Sequence, residues 1–177
     1  MKHTLSAKQK ADLVAASTSA SLKVTAHGDR EVVISRSFDA PRTLVWDAYT
    51  KPALLKRWLG VFGDITLDVC EVDLRVGGKY RYVWRGPNFQ MGMGGEYREV
   101  KAPERIVSTE KYDESWYPGG AVGTVVFSEK GGVTTVTTTM RYDSKEARDA
   151  VLKSPMEQGL SAGYDTLEKL LATLEAQ

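Results

Sequence analysis

Carboxylates and tyrosines are the residues of this chain that could carry acid–base chemistry. Glu110, Asp113 and Glu114 lie close together, and any of them could act as a general acid if its side chain were buried. No feature of the sequence places a second catalytic group beside these three carboxylates. The sequence therefore assigns no catalytic residue, although it does not exclude an enzymatic function.

Histidine and cysteine are too scarce for the common nucleophilic and metal sites. The two histidines, His3 and His27, both precede the part of the chain that is patterned as a folded domain. A Ser/Cys–His–acid triad within that domain is therefore excluded, and so is a multi-histidine metal site. Cys70 lies in a predicted strand without a histidine to activate it, so we expect a small, buried or half-buried filler. We predict no metal site.

The glycine-rich segments do not match phosphate-binding loops. A P-loop ending at Gly78-Lys79 would need glycine at position 73 and Ser or Thr at position 80, where Asp73 and Tyr80 stand. The run Gly92-Met-Gly94-Gly95 lacks the third glycine of a dinucleotide fingerprint and does not open a helix. These glycines instead indicate bent strands and close backbone approach, and we predict no cofactor.

A second group of side chains is suited to line an apolar cavity. Tyr80, Tyr82 and Trp84 alternate along one predicted strand and so share one of its faces. Methionine and aromatic side chains adapt to varied apolar shapes, while tyrosine hydroxyls add polar anchors. The candidate cavity residues are Tyr80, Tyr82, Trp84, Met91, Met93, Met140, Met156, Gly163, Tyr164 and Leu167. The alternative is that the same side chains fill the interior completely.

Two more aromatic residues lie on the longest loop predicted between strands, residues 113–120. Trp116 and Tyr117 could form a lid over such a cavity. The loop tip would then control how a ligand enters and leaves.

Composition limits the class of protein. A chain of 177 residues, 42% hydrophobic and 27% charged, suits one globular domain. Its 24 Lys and Arg nearly cancel its 23 Asp and Glu, so no overall charge favours nucleic acid. No apolar run approaches the ~20 residues of a membrane span. The single Cys70 excludes an internal disulfide and favours a reducing, cytoplasmic location.

The first part of the chain predicts an extension followed by a strand and two short helices. We assign residues 1–29 to an N-terminal extension, with a short helix and a flexible link, and residues 30–177 to the folded domain. Apolar residues alternate from Val32 to Phe38, which indicates the first strand. Pro41 and Pro52 then each open a short helix, because proline presets φ for a first helical position.

From residue 64 to residue 142 the hydrophobic period is two, which predicts an antiparallel sheet. The alternation changes phase between Val69 and Val72, as a bulge or bend would produce. Gly77-Gly78 and Gly131-Gly132 predict two-residue hairpin turns. The further predicted strands are 79–85, 90–100, 105–112, 122–129 and 133–142.

The C-terminal segment predicts a long amphipathic helix that ends near Leu174. At ~1.5 Å per residue such a helix is about 30 Å long, enough to cross a sheet. Gly159 and Gly163 are unfavourable inside it. They indicate either close packing against the sheet or space left for a ligand.

A set of turn and packing segments points to one known family. The set comprises Phe38-Asp-Ala-Pro41, Trp46, Lys56–Gly60, Asp73–Gly78, Gly95–Val100, Pro103–Val107 and Gly163-Tyr164 with Leu167, Leu170 and Leu171. Their order and spacing resemble the activator-of-heat-shock-protein-90-ATPase homologue family of the START-like (SRPBCC) superfamily, over about residues 30–175. The resemblance implies an α+β helix-grip fold. In this fold a curved antiparallel sheet wraps around a long C-terminal helix, two short helices follow the first strand, and a cavity usually lies between sheet and helix.

The resemblance also leaves three functions open. The first, which we expect, is non-catalytic binding of a small hydrophobic or aromatic molecule such as a lipid or polyketide. The second is a chaperone-interacting stress protein, although only about thirty residues stand where the eukaryotic co-chaperone has a separate N-terminal domain. The third is a polyketide cyclase or dehydratase-like enzyme that uses Tyr164 and Glu110 for acid–base chemistry.

Overall fold

Residues 22–177 are described by a computed structural model, and they form eight strands and four helices. The strands are β1 (Lys23–His27), β2 (Glu31–Phe38), β3 (Thr66–Val72), β4 (Lys79–Gly86), β5 (Phe89–Lys101), β6 (Arg105–Tyr112), β7 (Ala121–Lys130) and β8 (Val133–Tyr142). The helices are α1 (Arg42–Thr50), α2 (Pro52–Leu55), α3 (Lys145–Lys153) and α4 (Met156–Glu175). The short helix predicted near the N-terminus lies outside the described residues.

All eight strands join one antiparallel sheet in the order β1-β2-β8-β7-β6-β5-β4-β3. The pairing register shifts between Leu67 and Val69 in β3 and between Tyr97 and Glu99 in β5. Such bulges bend a strand and increase its twist, and the curved sheet results. The predicted architecture is confirmed: a curved antiparallel sheet faces a long C-terminal helix, and two short helices follow β2.

Strand β1 (Lys23–His27) precedes the first predicted strand and lies within residues 1–29, which the sequence assigned to an extension. It pairs with β2 along its whole length, from Lys23 opposite Ser35 to His27 opposite Glu31. The sequence does not predict this strand because its side chains are exposed, apart from the half-buried Val24, and an edge strand of this kind has no hydrophobic alternation.

The connection from β3 to β4 differs from the two-residue hairpin predicted at Gly77-Gly78. It contains six residues, 73–78, because β3 already ends at Val72. The loop folds back on β5, where the Gly77 N–H donates to the Tyr97 carbonyl at 2.8 Å and the Tyr97 N–H donates to the Gly78 carbonyl at 2.9 Å. Gly77 is needed for its φ of +83°, and Gly78 because a Cβ there would overlap the Asp73 carbonyl. In contrast, Gly131-Gly132 does form a two-residue turn, with φ of +59° and +79°.

Helix α4 is held on the concave face of the sheet by a buried arginine. Arg36 of β2 is 5% exposed, and its guanidinium lies 2.8 Å from Asp165 and 3.2 Å from Glu168 on α4. We call these three residues the Arg36 clamp. Next to it, Tyr164 of α4 packs edge-on against Phe38 at a ring-centroid distance of 5.9 Å.

The two glycines of α4 do not serve close packing. A Cβ at Gly159 would meet nothing within 4 Å, and one at Gly163 would lie 3.9 Å from the Trp58 carbonyl, an ordinary contact. Gly159 is exposed and Gly163 is half-buried. Space left for a ligand beside Gly163 stays a prediction.

Candidate functional site

The register of the sheet collects the candidate side chains on the concave face. Tyr80 lies opposite Gly95, Tyr82 opposite Met93 and Trp84 opposite Met91. Facing positions project to the same side of a sheet, so these residues of β4 and β5 share one face. The same parity continues across the sheet through Tyr112 and Glu110 of β6, Ala121 and Gly123 of β7, and Met140 and Tyr142 of β8.

The first aromatic group, here called the β4 cluster, contains Tyr80, Tyr82, Trp84 and Tyr97. Tyr80 lies 5.0 Å from Tyr82 and 5.4 Å from Tyr97, and Tyr82 lies 5.9 Å from Trp84. The Tyr80 hydroxyl donates to the Thr109 carbonyl at 2.7 Å. Burial raises the pKa of Tyr97 to about 12, so its phenol stays protonated at neutral pH.

Glycines make room for two rings of the β4 cluster. A Cβ at Gly95 would overlap the Thr109 carbonyl and lie 2.9 Å from the Tyr80 ring. The indole Nε1 of Trp84 donates to the Leu59 carbonyl at 2.9 Å, and a side chain at Gly60 would collide with that indole. The predicted wall of Tyr80, Tyr82 and Trp84 is thus fixed at both ends by hydrogen bonds.

A second group, the helix cluster, lies beneath α1, α2 and α4. Its members are Phe38, Trp46, Tyr49, Trp58, Phe127 and Tyr164, with ring centroids 4.9–6.2 Å apart. Burial raises the pKa of both Tyr49 and Tyr164. Within residues 22–177, two buried polar atoms of this region lack a hydrogen-bond partner, the Tyr49 hydroxyl and Arg36 Nε.

A third group, the Glu110 cluster, combines a carboxyl with three tyrosines. The Tyr117 hydroxyl donates to Glu110 Oε1 at 3.4 Å, and the Tyr117 ring packs against Tyr112 at 6.1 Å and Tyr142 at 5.2 Å. Burial raises the pKa of Glu110 to about 7, and the hydrogen bond from Tyr117 offsets only part of that rise. Burial likewise raises the pKa of Tyr112, Tyr117 and Tyr142. Glu110 is therefore the group of this cluster that titrates near neutral pH.

The loop predicted as a lid divides into a buried and an exposed part. Tyr117 is 4% exposed and belongs to the wall of the Glu110 cluster. Trp116 is 48% exposed and covers Tyr117 and Tyr112 from outside, at 5.1 Å and 6.4 Å. The foot of the loop is fixed, because the Gly120 N–H donates to Asp143 at 2.8 Å. Trp116 thus remains the candidate for the mobile part of a lid.

The predicted cavity residues fall into two regions. The β4 cluster lies beside Met91 and Met93, whereas Tyr164 joins the helix cluster and Leu167 lies in the core on the same helix. Six of the ten are buried (Tyr80, Trp84, Met93, Met140, Tyr164 and Leu167), and four are half-buried (Tyr82, Met91, Met156 and Gly163). Glu110, considered from sequence only as an acid, joins this face together with Tyr97, Tyr112 and Tyr142. The period-two alternation of β5, β6 and β8 could have predicted that these four residues lie on the concave face.

Two open recesses border the site without entering it. One, of about 710 Å³, lies between the start of α4 and the edge of the sheet, where Arg36, Ser161 and Asp165 line it. The other, of about 770 Å³, lies on the convex face of β3–β6, where Arg81 and Lys111 line it. Among residues 22–177 no cluster of three His, Cys, Asp or Glu could hold a metal ion.

A family model described as "Activator of Hsp90 ATPase homolog 1-like protein" matches residues 39–172, which is more than half of the chain. The chain belongs to this family. The predicted family and the predicted helix-grip fold are both confirmed. No curated protein matches the chain.

Solved structures share the fold of this chain. A crystal structure of a Rhodobacter sphaeroides protein is similar over 86% of this chain and 98% of its own, with 29% identity and a TM-score of 0.81. A solution NMR structure of a Staphylococcus epidermidis protein matches over 85% of this chain and 94% of its own, with 28% identity and a TM-score of 0.74. An AHSA1-like protein from Aeromonas hydrophila, 23% identical over 78% of this chain and 93% of its own with a TM-score of 0.62, shares the fold.

In the described part of this family member, no helix is both long and apolar enough to cross a membrane.

Proposed function

We propose that this protein binds a small hydrophobic or aromatic molecule between the concave face of the sheet and α4. The observation that carries the proposal is the partial exposure of inner-face side chains. Tyr82, Met91 and Tyr112 are half-buried although they lie on the concave face of the sheet. A completely filled interior would bury such large side chains, whereas a binding site leaves them accessible.

The proposed ligand follows from the chemistry of this face. Aromatic rings and the Met91 and Met93 thioethers offer flat and adaptable apolar contacts. Within residues 22–177 the Tyr112 hydroxyl has no side-chain hydrogen-bond partner and can anchor an oxygen atom of a ligand. The Tyr80 hydroxyl is already bonded to Thr109, and that of Tyr82 interacts with Tyr97. Lipids and polyketides both combine an apolar body with a few oxygen atoms. The cytoplasmic location stays a prediction from the single cysteine.

Ligand-dependent stabilisation tests the proposal. A thermal-shift screen of lipids, polyketides and small aromatics should find ligands that raise the melting temperature, because a ligand at ~100 times its dissociation constant adds about 2.7 kcal/mol. Tyr82→Ala should weaken a hit by roughly tenfold or more. Leu152→Ala, which truncates an apolar side chain on α3 that is 37% exposed, is the matched control and should leave affinity unchanged. The proposal fails if no compound stabilises the protein and a crystal structure shows a filled interior.

The family description favours a chaperone-interacting protein as a second candidate. Such a protein would act through its surface, where Phe62 and Phe89 are 70% and 41% exposed. Stimulation of the ATPase activity of the organism's own Hsp90 would support it, and Phe62→Ser should then reduce the effect while Tyr82→Ala should not. Absence of both binding and stimulation would reject it.

Glu110 favours a third candidate, an enzyme of the polyketide cyclase or dehydratase type. A carboxyl with a pKa of about 7 is suited to general acid–base work. Its expected partner Tyr164 belongs to a different cluster, next to Phe38 and Trp58. Turnover of a polyketide-type substrate that is unaffected by both Glu110→Gln and Tyr164→Phe would reject these roles.

A further inference from the structure

The carboxyl of Glu110 has one oxygen engaged with protein and one oxygen free. Tyr117 donates to Oε1, and no residue between 22 and 177 donates to Oε2. Oε2 is not one of the fully buried, unpartnered side-chain atoms of the described residues, so it keeps some solvent exposure. No ion pair within the described residues involves this carboxyl, and no cation contributes to its pKa.

The surroundings of Glu110 favour a neutral carboxylic acid. Tyr80 faces it from β4, Tyr112 from β6, Tyr142 from β8 and Tyr117 from the loop. None of these phenols carries a positive charge, and all of their pKa values are raised, so none can neutralise a carboxylate. A carboxyl kept neutral at pH 7 can act as a hydrogen-bond donor within an apolar site.

A donor in this position needs an acceptor from the ligand. The Tyr117 hydroxyl already donates to Oε1. The proton of the neutral acid is therefore bound to Oε2. Ionised phenolates and carboxylates are poor candidates, because they would be buried without a cation. A ketone or quinone oxygen accepts a hydrogen bond and carries no charge.

We propose that Oε2–H of Glu110 donates a hydrogen bond to the carbonyl oxygen of an aromatic ketone or quinone whose ring lies against the β4 cluster. This inference rests on the proposed ligand site and adds the chemical class of the ligand. Because Glu110 loses its donor on ionisation, the affinity for such a ligand falls as the pH rises through about 7. An equally apolar ligand without an oxygen atom binds independently of pH over that range.

Two matched probes test the inference, 2-acetonaphthone with a carbonyl group and 2-ethylnaphthalene without one. Their dissociation constants are measured by tryptophan fluorescence at about pH 6 and about pH 8. For the full-length wild type we expect the ketone to bind about tenfold tighter than the hydrocarbon at the lower pH, and to lose most of that advantage at the higher pH.

Variants connect this preference to Glu110. Glu110→Gln keeps an N–H donor and should bind the ketone without pH dependence. Glu110→Leu should bind both probes equally, and the unfolding midpoint of each variant shows whether it has folded. If Glu110→Leu is unfolded, the loss of pH dependence in Glu110→Gln decides the question.

The outcomes separate the inference from the proposed site. If both probes bind wild type equally, or if the ketone preference keeps its pH dependence in Glu110→Gln, the role of Glu110 is rejected and the apolar site stands. If neither probe binds at either pH, the inference is rejected, and the broader thermal-shift screen decides on the ligand site itself.

Discussion

Burial of the Glu110 carboxyl makes the stability of the fold depend on pH. Its pKa rises from an ordinary value of 4.5 to about 7, so between these values the folded chain holds a proton that the unfolded chain has released. Stability is therefore greatest at low pH and falls as the pH rises through this window, because the native state binds more protons. Above about pH 7 this contribution is constant.

Replacing the acid by its amide removes this dependence. We expect Glu110→Gln to be more stable than wild type by about 2–3 kcal/mol at pH 8, and the difference to shrink towards pH 5. Urea unfolding at several pH values measures it. Equal pH slopes for the two proteins would contradict burial of an ionisable Glu110.

Replacing glycine by alanine should have opposite effects on stability at Gly95 and Gly159. Gly95→Ala should destabilise the protein by about 2–3 kcal/mol, because its methyl group would overlap the Thr109 carbonyl and press on Tyr80. Gly159→Ala should stabilise it by about 0.5–1 kcal/mol, since the added methyl group meets nothing and alanine favours the helix. Thermal or urea unfolding of both variants checks the pair, and a neutral Gly95→Ala would show that the sheet can move aside there.

Helix α4 depends on the Arg36 clamp for its position on β2. Asp165→Asn with Glu168→Gln would leave a buried guanidinium without a counter-charge, which costs about 3 kcal/mol. The control is Asp47→Asn, which breaks an exposed pair with Lys51 and should cost less than about 0.5 kcal/mol. Equal urea midpoints for the double variant and the control would reject the clamp.

The elements with a strong hydrophobic period could be predicted from the sequence, and those without one could not. Strands β4 to β8 and helix α4 carry a clear alternation or stripe, and they lie where the sequence placed them. Strand β1 was missed because an exposed edge strand is held by backbone pairing, which leaves no pattern of side chains. The loop 73–78 was wrongly predicted as a two-residue turn because its backbone pairs with Tyr97 of β5, a contact that local turn rules do not include.

The sequence predicted which side chains lie in the candidate site, but it did not predict which of them contact one another. Alternation showed that Tyr80, Tyr82 and Trp84 share a face, which follows from strand geometry alone. That Tyr117 would meet Glu110, while Tyr164 would join Phe38 instead, depends on how the strands are ordered and how α4 crosses them. The raised pKa of Glu110 could not be predicted from the sequence either, because it arises from burial in the folded structure.

The described chain should unfold as one unit, and a ligand should stabilise all of it. A continuous eight-stranded sheet and a single core cluster connect the β4 cluster to α4, so neither part can open without exposing the other. Urea unfolding followed by tryptophan fluorescence and by far-UV circular dichroism should therefore give coincident curves. A ligand at ~100 times its dissociation constant should raise the midpoint by about 1 M at an unchanged slope, because it adds about 2.7 kcal/mol to the native state alone. If the fluorescence change instead preceded the loss of the strand signal, the helix side of the protein would open independently. A ligand would then shift only the earlier transition.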